Sequence, residues 1–347
     1  MQFLKFKSLL PAAALAVLCS CSTFDEEKIT LDGERISVLD GETALQPDYA
    51  PGQVKIVLPA PYTNTAWSQN GGNAAHMMGH LSSDSKLKEL WESGFGEGSS
   101  KRDFLIAAPV SAHKAVFTID ADGIVNAFRL DDGRKIWKRR LKPLIKDDIS
   151  TSLKGAGLAV FDKKVYATTG FGAVFALDMV TGKKLWRYDT ELPIRIAPTA
   201  ERGVVFIQTI DNKLIALNGV DGSVLWDYKS PSEETTLVGG ASPAYSPQQD
   251  TIVAAFSNGE LRAFKASTGS PLWSDILVSR KRTNSPANIN AIKANPVIDG
   301  STVYAVGNNN ILVAIDLRSG ARIWEREIGS INQPWVAGKF MFVLSNN

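Results

Sequence analysis

The chain has 347 residues, of which 38 are Lys or Arg and 36 are Asp or Glu, so its formal net charge is only +2. This balance excludes a global electric field that would draw the protein to nucleic acid or to anionic lipid, and we predict no nucleic-acid partner. Only two cysteines are present, Cys19 and Cys21, and both lie close to the amino terminus.

Residues 1–20 have the features of a bacterial signal peptide. Lys5 and Lys7 form a positive segment, and residues 8–18 form an apolar core too short to span a bilayer as a stable helix. Cys21 follows an aliphatic residue three positions before it and a small residue directly before it, which resembles the bacterial lipobox. We therefore expect Cys21 to be lipidated, with a plain secretory signal as the alternative.

Cleavage and lipidation would leave the mature chain without a free thiol. Cys19 would leave with the signal and Cys21 would carry lipid, so no cysteine remains for a disulfide, a metal or a nucleophile. Loss of Lys5 and Lys7 leaves 36 residues of each charge, so membrane attachment must come from the acyl chains. Ser22, not Asp, follows the lipidated residue, and by the rule known for enterobacterial lipoproteins we expect the periplasmic face of the outer membrane.

The next two segments are predicted to lack regular structure. Residues 21–65 are first acidic and later rich in Pro, which favours a flexible, extended tether. Residues 65–80 are rich in Gly and resemble a loop. His76 and His80 have the four-residue spacing of two metal ligands on a helix, but the stretch has no helical periodicity, so we favour a local structural role and predict no metal site.

An eleven-residue phrase recurs five times; it begins with Ala, has Gly at its seventh position and ends with Trp. Two strand-like runs flank a polar turn that ends in this Gly, which predicts a hairpin because Gly adopts a positive φ without steric cost. The fixed spacing indicates one supersecondary unit copied in tandem. The copies are 127–137, 176–186, 216–226, 263–273 and 314–324, and their Trp residues, predicted to pack between repeats, are Trp137, Trp186, Trp226, Trp273 and Trp324.

Each phrase is preceded by two further strand-like segments. One is a β-branched or aromatic run followed by a turn, and the other is short and contains Pro in four copies. Successive Trp residues from Trp91 to Trp324 are 40 to 51 residues apart. Four short strands in such a period predict an all-β fold, a β-propeller of four-stranded antiparallel blades with five complete blades. Since Pro is tolerated at the first residue of a strand, the beginnings of four repeats are marked by Pro109, Pro198, Pro243 and Pro296.

Both ends of the repeat array are predicted to be irregular. Residues 85–96 predict a lone outer strand that contains Trp91 and completes the blade built from the C-terminal end, which would remove exposed sheet edges. Residues 333–347 begin a sixth unit and stop where another copy of the phrase would start. The predicted propeller domain, residues 66–347, is then either a defective six-bladed ring or, as we favour, the front portion of a C-terminally incomplete domain.

The phrase resembles the pyrroloquinoline-quinone-type propeller repeat. A lipobox followed by such a propeller is similar to the family of outer-membrane protein assembly factor BamB, as are the segments 314–339 and 192–199. The resemblance covers residues 65–347 and implies an eight-bladed ring, of which this chain would lack about two blades. It also implies a non-catalytic periplasmic scaffold, monomeric within a hetero-complex, that binds the POTRA domains of BamA and helps nascent outer-membrane proteins to insert.

The resemblance also implies a partner-binding site. A Leu-x-Leu-Arg stretch of the family contacts BamA, and its counterparts here are Leu192, Ile194 and Arg195. An exposed aliphatic pair beside an Arg has the composition of an interface anchor, although the two aliphatic residues could equally belong to the core. A second family contact uses acidic residues shortly before the counterpart of Pro296. Residues 291–295 contain no carboxylate, so this second contact is either lost here or made by different chemistry.

Two other functions remain as alternatives. The same repeat occurs in quinoprotein dehydrogenases, which use a vicinal cystine and a calcium site held by carboxylate and amide groups. The mature chain cannot form that cystine, so we predict neither a cofactor nor enzymatic activity. The other alternative is a propeller lipoprotein that binds a different envelope partner. The basic clusters 138–140 and 280–282 are interpreted as solvated loop faces that could also meet an acidic surface.

Overall fold

The computed structural model describes residues 49–50, 52–84, 86–101, 104–144, 155–232, 239–277 and 290–346. The chain divides into two units, Met1–Gln46 and Pro47–Asn347, and all of these residues belong to the second. They form five four-stranded sheets and one two-stranded sheet, all antiparallel, which confirms the predicted β-propeller with five complete blades and a partial sixth. No helix in the described ranges is long and apolar enough to cross a membrane.

Each complete blade has four strands in sequence order, and the phrase supplies the third and fourth. Blades 1 and 2 consist of Val110–Ala112 (β1), Ala115–Ile119 (β2), Ile124–Arg129 (β3), Lys135–Arg140 (β4), Gly155–Phe161 (β5), Lys164–Thr169 (β6), Ala173–Asp178 (β7) and Lys184–Asp189 (β8). Blades 3 and 4 consist of Thr199–Glu201 (β9), Val204–Gln208 (β10), Lys213–Asn218 (β11), Val224–Lys229 (β12), Ala244–Ser246 (β13), Thr251–Ala255 (β14), Glu260–Lys265 (β15) and Pro271–Ile276 (β16). Blade 5 and the partial blade consist of Val297–Asp299 (β17), Thr302–Gly307 (β18), Ile311–Asp316 (β19), Arg322–Arg326 (β20), Trp335–Ala337 (β21) and Phe340–Phe342 (β22).

The first strand of each blade faces the centre of the propeller. First strands of successive blades contact one another, β1 with β5, β5 with β9, β9 with β13 and β13 with β17. The fourth strands are largely exposed and form the outer edges. Pro109, Pro198, Pro243 and Pro296 each lie one residue before a first strand, so the predicted markers of the repeat starts are confirmed to within one position.

The register of the strands explains the constant Ala of the phrase. It lies directly opposite the constant Trp of the same blade, as in Ala216 and Trp226, and a β-bulge follows it in all five copies. A small side chain leaves room for the indole across the strand pair, and the bulge turns the hairpin. The constant Gly adopts a positive φ in every copy, between 65° and 77°, which favours glycine.

In four of the five copies the constant Trp joins its blade to the next. Trp226 of blade 3 donates its indole N–H to the carbonyl oxygen of Ala266 at 2.7 Å, and its ring lies over Gly269 of blade 4. The same pair of contacts links Trp137, Trp186 and Trp273 to the phrase that follows. Hydrophobic clusters fill the space between neighbouring sheets, for example between blades 1 and 2.

The predicted lone outer strand around Trp91 is wrong, but Trp91 packs on blade 1 in the way of the repeat Trp residues. Residues 86–96 form no strand, because their backbone pairs with no strand in the described part of the chain. Trp91 nevertheless donates its indole N–H to the carbonyl oxygen of Leu130 at 2.9 Å, and its ring lies against Gly133. Trp91 therefore makes the same two contacts with blade 1 that a repeat Trp makes with the blade that follows its own.

Candidate functional site

The residues assigned to partner binding lie on the connection between β8 and β9. Leu192 is 38% exposed, whereas Ile194 is completely buried and packs between blades 2 and 3. Ile194 also forms an isolated antiparallel bridge with Thr209 of blade 3. The two aliphatic side chains therefore do not form one exposed pair: Leu192 is available at the surface, and Ile194 fixes the connection to the core.

Arg195 is turned away from this core. Ile194 and Ile196 on either side of it are buried, whereas Arg195 is partly exposed. It lines a cavity of about 550 Å³ at the centre of the propeller. Lys293, in the segment before β17, lines the same cavity. Sequence reasoning treated 291–295 only as a place without carboxylates and missed Lys293 as a functional candidate.

A segment from the Gly-rich stretch closes one end of this cavity. We call residues 67–80 the floor segment, and it contacts the first strand of every blade. Backbone hydrogen bonds of 2.7 to 2.9 Å join it to β1, β5, β13 and β17, through Trp67, Ser68, Ala74 and Ala75. Trp67 also stacks on Trp335 of β21, with ring centroids 6.2 Å apart. The predicted loop is thus an irregular chain that crosses the centre of the propeller.

Gln69 of the floor segment supplies the contact to blade 3. Its side-chain oxygen accepts a hydrogen bond from the backbone N–H of Ala200 at 2.8 Å, and its amide nitrogen lies 3.3 Å from the carbonyl oxygen of the same residue. The side chain is 1% exposed. One buried side-chain amide therefore pairs with both backbone polar groups of one residue, much as a neighbouring strand would.

The polar groups of the cavity floor are largely paired with one another. Asn295 accepts a hydrogen bond from the backbone of Ser242 at 2.8 Å and donates to Gln333 at 3.0 Å. Gln333 in turn donates to the carbonyl oxygen of His76 at 2.9 Å, and Asn70 donates to the hydroxyl of Ser242 at 3.0 Å. This network leaves Arg195 and Lys293 as the two charged groups among the described residues that line the cavity.

His76 belongs to the same floor. Its Nδ1 lies 2.7 Å from the carbonyl oxygen of Pro296, which can only accept, so Nδ1 carries the proton. Burial lowers the pKa of His76 to about 4, against the opposing effect of that hydrogen bond. His80 instead contacts the carbonyl oxygen of Pro59 at 2.7 Å. Within the described ranges no group of three or more His, Cys, Asp or Glu residues could hold a metal ion.

The remaining candidates of the sequence analysis lie elsewhere. Cys21, the tether up to residue 48 and the basic cluster 280–282 fall outside the described residues. The end of the tether is described, and there the backbone N–H of Tyr62 donates to the carbonyl oxygen of His80 at 3.1 Å. The basic cluster 138–140 lies on β4, an outer strand, where Arg139 donates to the carbonyl oxygen of Gly182 at 2.8 Å. Arg140 lies 3.7 Å from Asp122. Part of this cluster therefore serves contacts within the propeller.

Comparison with known proteins gives one consistent family. The family model described as outer membrane protein assembly factor BamB matches residues 121–347. A curated relative with that name from Moranella endobia is 26% identical over 266 residues, which are 76% of this chain and 68% of the relative.

Two solved structures support the β-propeller fold. BamB from Moraxella catarrhalis has a TM-score of 0.57 at 18% identity, covering 69% of each chain. Quinohemoprotein alcohol dehydrogenase ADHIIG from Pseudomonas putida has a TM-score of 0.60 at 18% identity, covering 76% of this chain and 48% of the enzyme. At this level of identity both structures support the fold and do not by themselves distinguish an assembly factor from an enzyme.

Proposed function

The chain belongs to the outer membrane protein assembly factor BamB family, and we propose that it is a non-catalytic scaffold of the machinery that inserts β-barrel proteins into the outer membrane. The family match over residues 121–347 carries this proposal. In this role the propeller binds the periplasmic POTRA domains of a BamA-type barrel protein and assists insertion of nascent outer-membrane proteins. The rigid, interlocked blades suit a scaffold, because loops between them are held in fixed relative positions.

The proposed attachment is a lipid on Cys21 followed by the tether 21–65, which holds the propeller at the periplasmic face of the outer membrane. The support for this is the sequence pattern around Cys21. A thioether-linked diacylglycerol together with a further acyl chain gives the multiple anchors that stable membrane binding needs.

The proposed partner contact uses Leu192, Ile194 and Arg195 in different ways. Leu192 supplies exposed apolar surface and Arg195 supplies a charge with a planar array of donors, which suits carboxylates or carbonyl groups of a partner. Ile194 is buried, so its role is to hold the connection against blade 3 through its bridge to Thr209. Replacing it would disturb the contact through the fold, whereas replacing Arg195 changes the surface.

Co-isolation with the BamA-type barrel protein tests this function. We expect the lipidated chain to co-purify with that protein from detergent-solubilised membranes, and Arg195→Glu to reduce its recovery at least fivefold, because reversal replaces an attractive charge with a repulsive one. Arg318→Glu is the matched control, since Arg318 is an exposed residue on a turn of blade 5. Failure of the native chain to co-purify would reject the assembly role and favour a different envelope partner.

The structural likeness to quinohemoprotein alcohol dehydrogenase makes an enzyme the second candidate. The residues present do not fit the groups such enzymes use. No cysteine lies in the described ranges, and no Asp or Glu is among the described residues that line the central cavity. Dye-linked oxidation of alcohols or sugars after addition of the quinone and calcium is the decisive assay; clear turnover would overturn the scaffold proposal.

A further inference from the structure

Arg195 and Lys293 occupy the same position in two different blades. Each lies three residues before the Pro that precedes a first strand, Pro198 in blade 3 and Pro296 in blade 5. The residues at this position line the central cavity in five of the six units, and they are Ile106, Arg195, Gly240, Lys293 and Ile331. The propeller therefore repeats one inward-facing position around its centre, and two of its copies carry a positive charge.

Both cations are held on rigid backbone. Arg195 lies between the buried residues Ile194 and Ile196, and Lys293 lies between Ile292 and Ala294, which are 2% and 1% exposed. The Lys293 side chain passes Gly239, where an added Cβ would lie 3.7 Å from its Cε. Because the flanking residues are buried, the backbone that carries the two cations is already ordered. A ligand that binds them therefore loses less free energy to ordering of the chain.

The charge of the cavity is not compensated within the described chain. Neither cation forms an ion pair with a carboxylate of the described residues, and those that line the cavity include no Asp or Glu. Two like charges that share one concave, partly desolvated site repel each other, and an anion that enters relieves this repulsion. The site thus selects for negative charge.

The cavity has the form of a blind funnel. The floor segment bonds to residues inside the first strands, such as Ser111 and Ile298, whereas the two cations precede those strands. The floor therefore closes the cavity on the strand side, and a ligand enters past the cations. A volume of about 550 Å³ lies within the range of about 300–1,000 Å³ that is usual for ligand pockets.

We propose that this funnel binds an extended acidic polypeptide segment of a partner protein, whose Asp or Glu side chains pair with Arg195 and Lys293. The walls admit a polypeptide because Gly and Ala residues such as Ala108, Ala197 and Gly240 let a second backbone approach closely, and the amides of Asn332 and Gln333 beside them can pair with its polar groups. The guanidinium of Arg195 can hold one carboxylate with two parallel hydrogen bonds, and the ammonium of Lys293 can hold a second. Arg195 also serves the proposed partner contact, whereas Lys293 does not, so Lys293 is the residue that separates the two proposals. Loss of peptide binding in Lys293→Gln with unchanged co-isolation supports the funnel, and failure of the funnel proposal would leave the assembly role intact.

Fluorescence anisotropy with a labelled peptide tests the proposal. The probe is an eight-residue peptide of alternating Gly and Asp with blocked ends, so that its charge comes from side chains alone, and its counterpart has Asn in place of Asp. We expect the mature chain to bind the Asp peptide at least tenfold more tightly than the Asn peptide at low salt. Lys293→Gln and Arg195→Gln should each weaken binding of the Asp peptide about five- to tenfold and reduce its salt dependence.

Lys265→Gln is the matched control, because Lys265 is an exposed residue on β15 of blade 4 and does not line the cavity. It should leave peptide affinity within twofold of the native chain. Far-ultraviolet circular dichroism and the thermal midpoint of each variant show whether the propeller is folded. The proposal is wrong if the native chain does not bind the Asp peptide, if both peptides bind equally, or if Lys265→Gln weakens binding as much as Lys293→Gln.

Discussion

Replacing Gly269 with Ala should loosen the contact between blades 3 and 4. Gly269 has φ of 72°, and an added Cβ would lie only 2.6 Å from Cδ2 of the Trp226 ring. The left-handed backbone costs about 1 kcal/mol for a residue with a Cβ, and inserting a methyl group into a packed contact costs about 1–3 kcal/mol more. We therefore expect Gly269→Ala to lower the free energy of unfolding by about 2–4 kcal/mol.

Gly203→Ala separates the two contributions. Gly203 has φ of 80°, close to that of Gly269, but an added Cβ would meet no atom within 4 Å. This variant carries the backbone strain without the clash, so it should lose only about 1 kcal/mol.

Urea unfolding followed by circular dichroism gives the stabilities of both variants. Among the eight tryptophans Trp226 is the one packed on Gly269, so the difference in tryptophan emission between Gly269→Ala and the native chain reports its environment. In Gly269→Ala the indole must move from its 2.7 Å hydrogen bond to Ala266, so its emission should shift to longer wavelength in the folded state. Equal destabilisation by the two substitutions, with unchanged fluorescence, would refute the idea that the constant Gly exists to receive the Trp.

Three further predictions concern the floor segment and the anchor. Gln69→Ala should cost about 2–4 kcal/mol in urea unfolding, because it leaves the buried peptide groups of Ala200 unpaired, whereas Gln249→Ala, at an exposed amide, should cost less than 1 kcal/mol. The pKa of His76 is lowered to about 4 in the folded chain, so as the pH falls the unfolded chain binds a proton first. The free energy of unfolding should therefore be highest above pH 6.5 and fall by up to about 3 kcal/mol towards pH 4. His76→Gln should reduce this dependence on pH. Cys21→Ala should move the chain from the membrane fraction to the soluble periplasmic fraction, and unchanged fractionation would reject lipid anchoring at Cys21.

The repeated features of the fold were predictable because five copies of the repeat can be compared within one chain. Five copies place Ala, Gly and Trp at constant offsets, and each has one physical role: the small residue opposite the indole, the positive φ of the turn, and the wedge on the next blade. Such roles are local or depend only on the neighbouring blade, so they recur with the period. The number of complete blades and the position of each hairpin follow from them.

The features that occur once were predicted less well, since they depend on contacts distant in sequence. Trp91 lies in no strand because strand formation needs a paired neighbour, although its indole still fits the Gly of blade 1. The floor segment was predicted only as a loop because its hydrogen-bonding partners, such as Ser111 and Ile298, are distant from it in sequence. Ile194 resembled an exposed anchor because an aliphatic residue beside an Arg is equally compatible with core and surface.

The position three residues before each recurring Pro shows how a periodic fold can still encode a single site. The five described copies of this position line the cavity because the backbone repeats, but their side chains differ between Ile, Gly, Arg and Lys. The contacts that the Trp and Gly of the outer hairpin make between blades do not involve this position. If the proposed peptide binding is correct, binding specificity resides at this inward position rather than in the repeated phrase, because the repeated phrase is needed for the contact between blades.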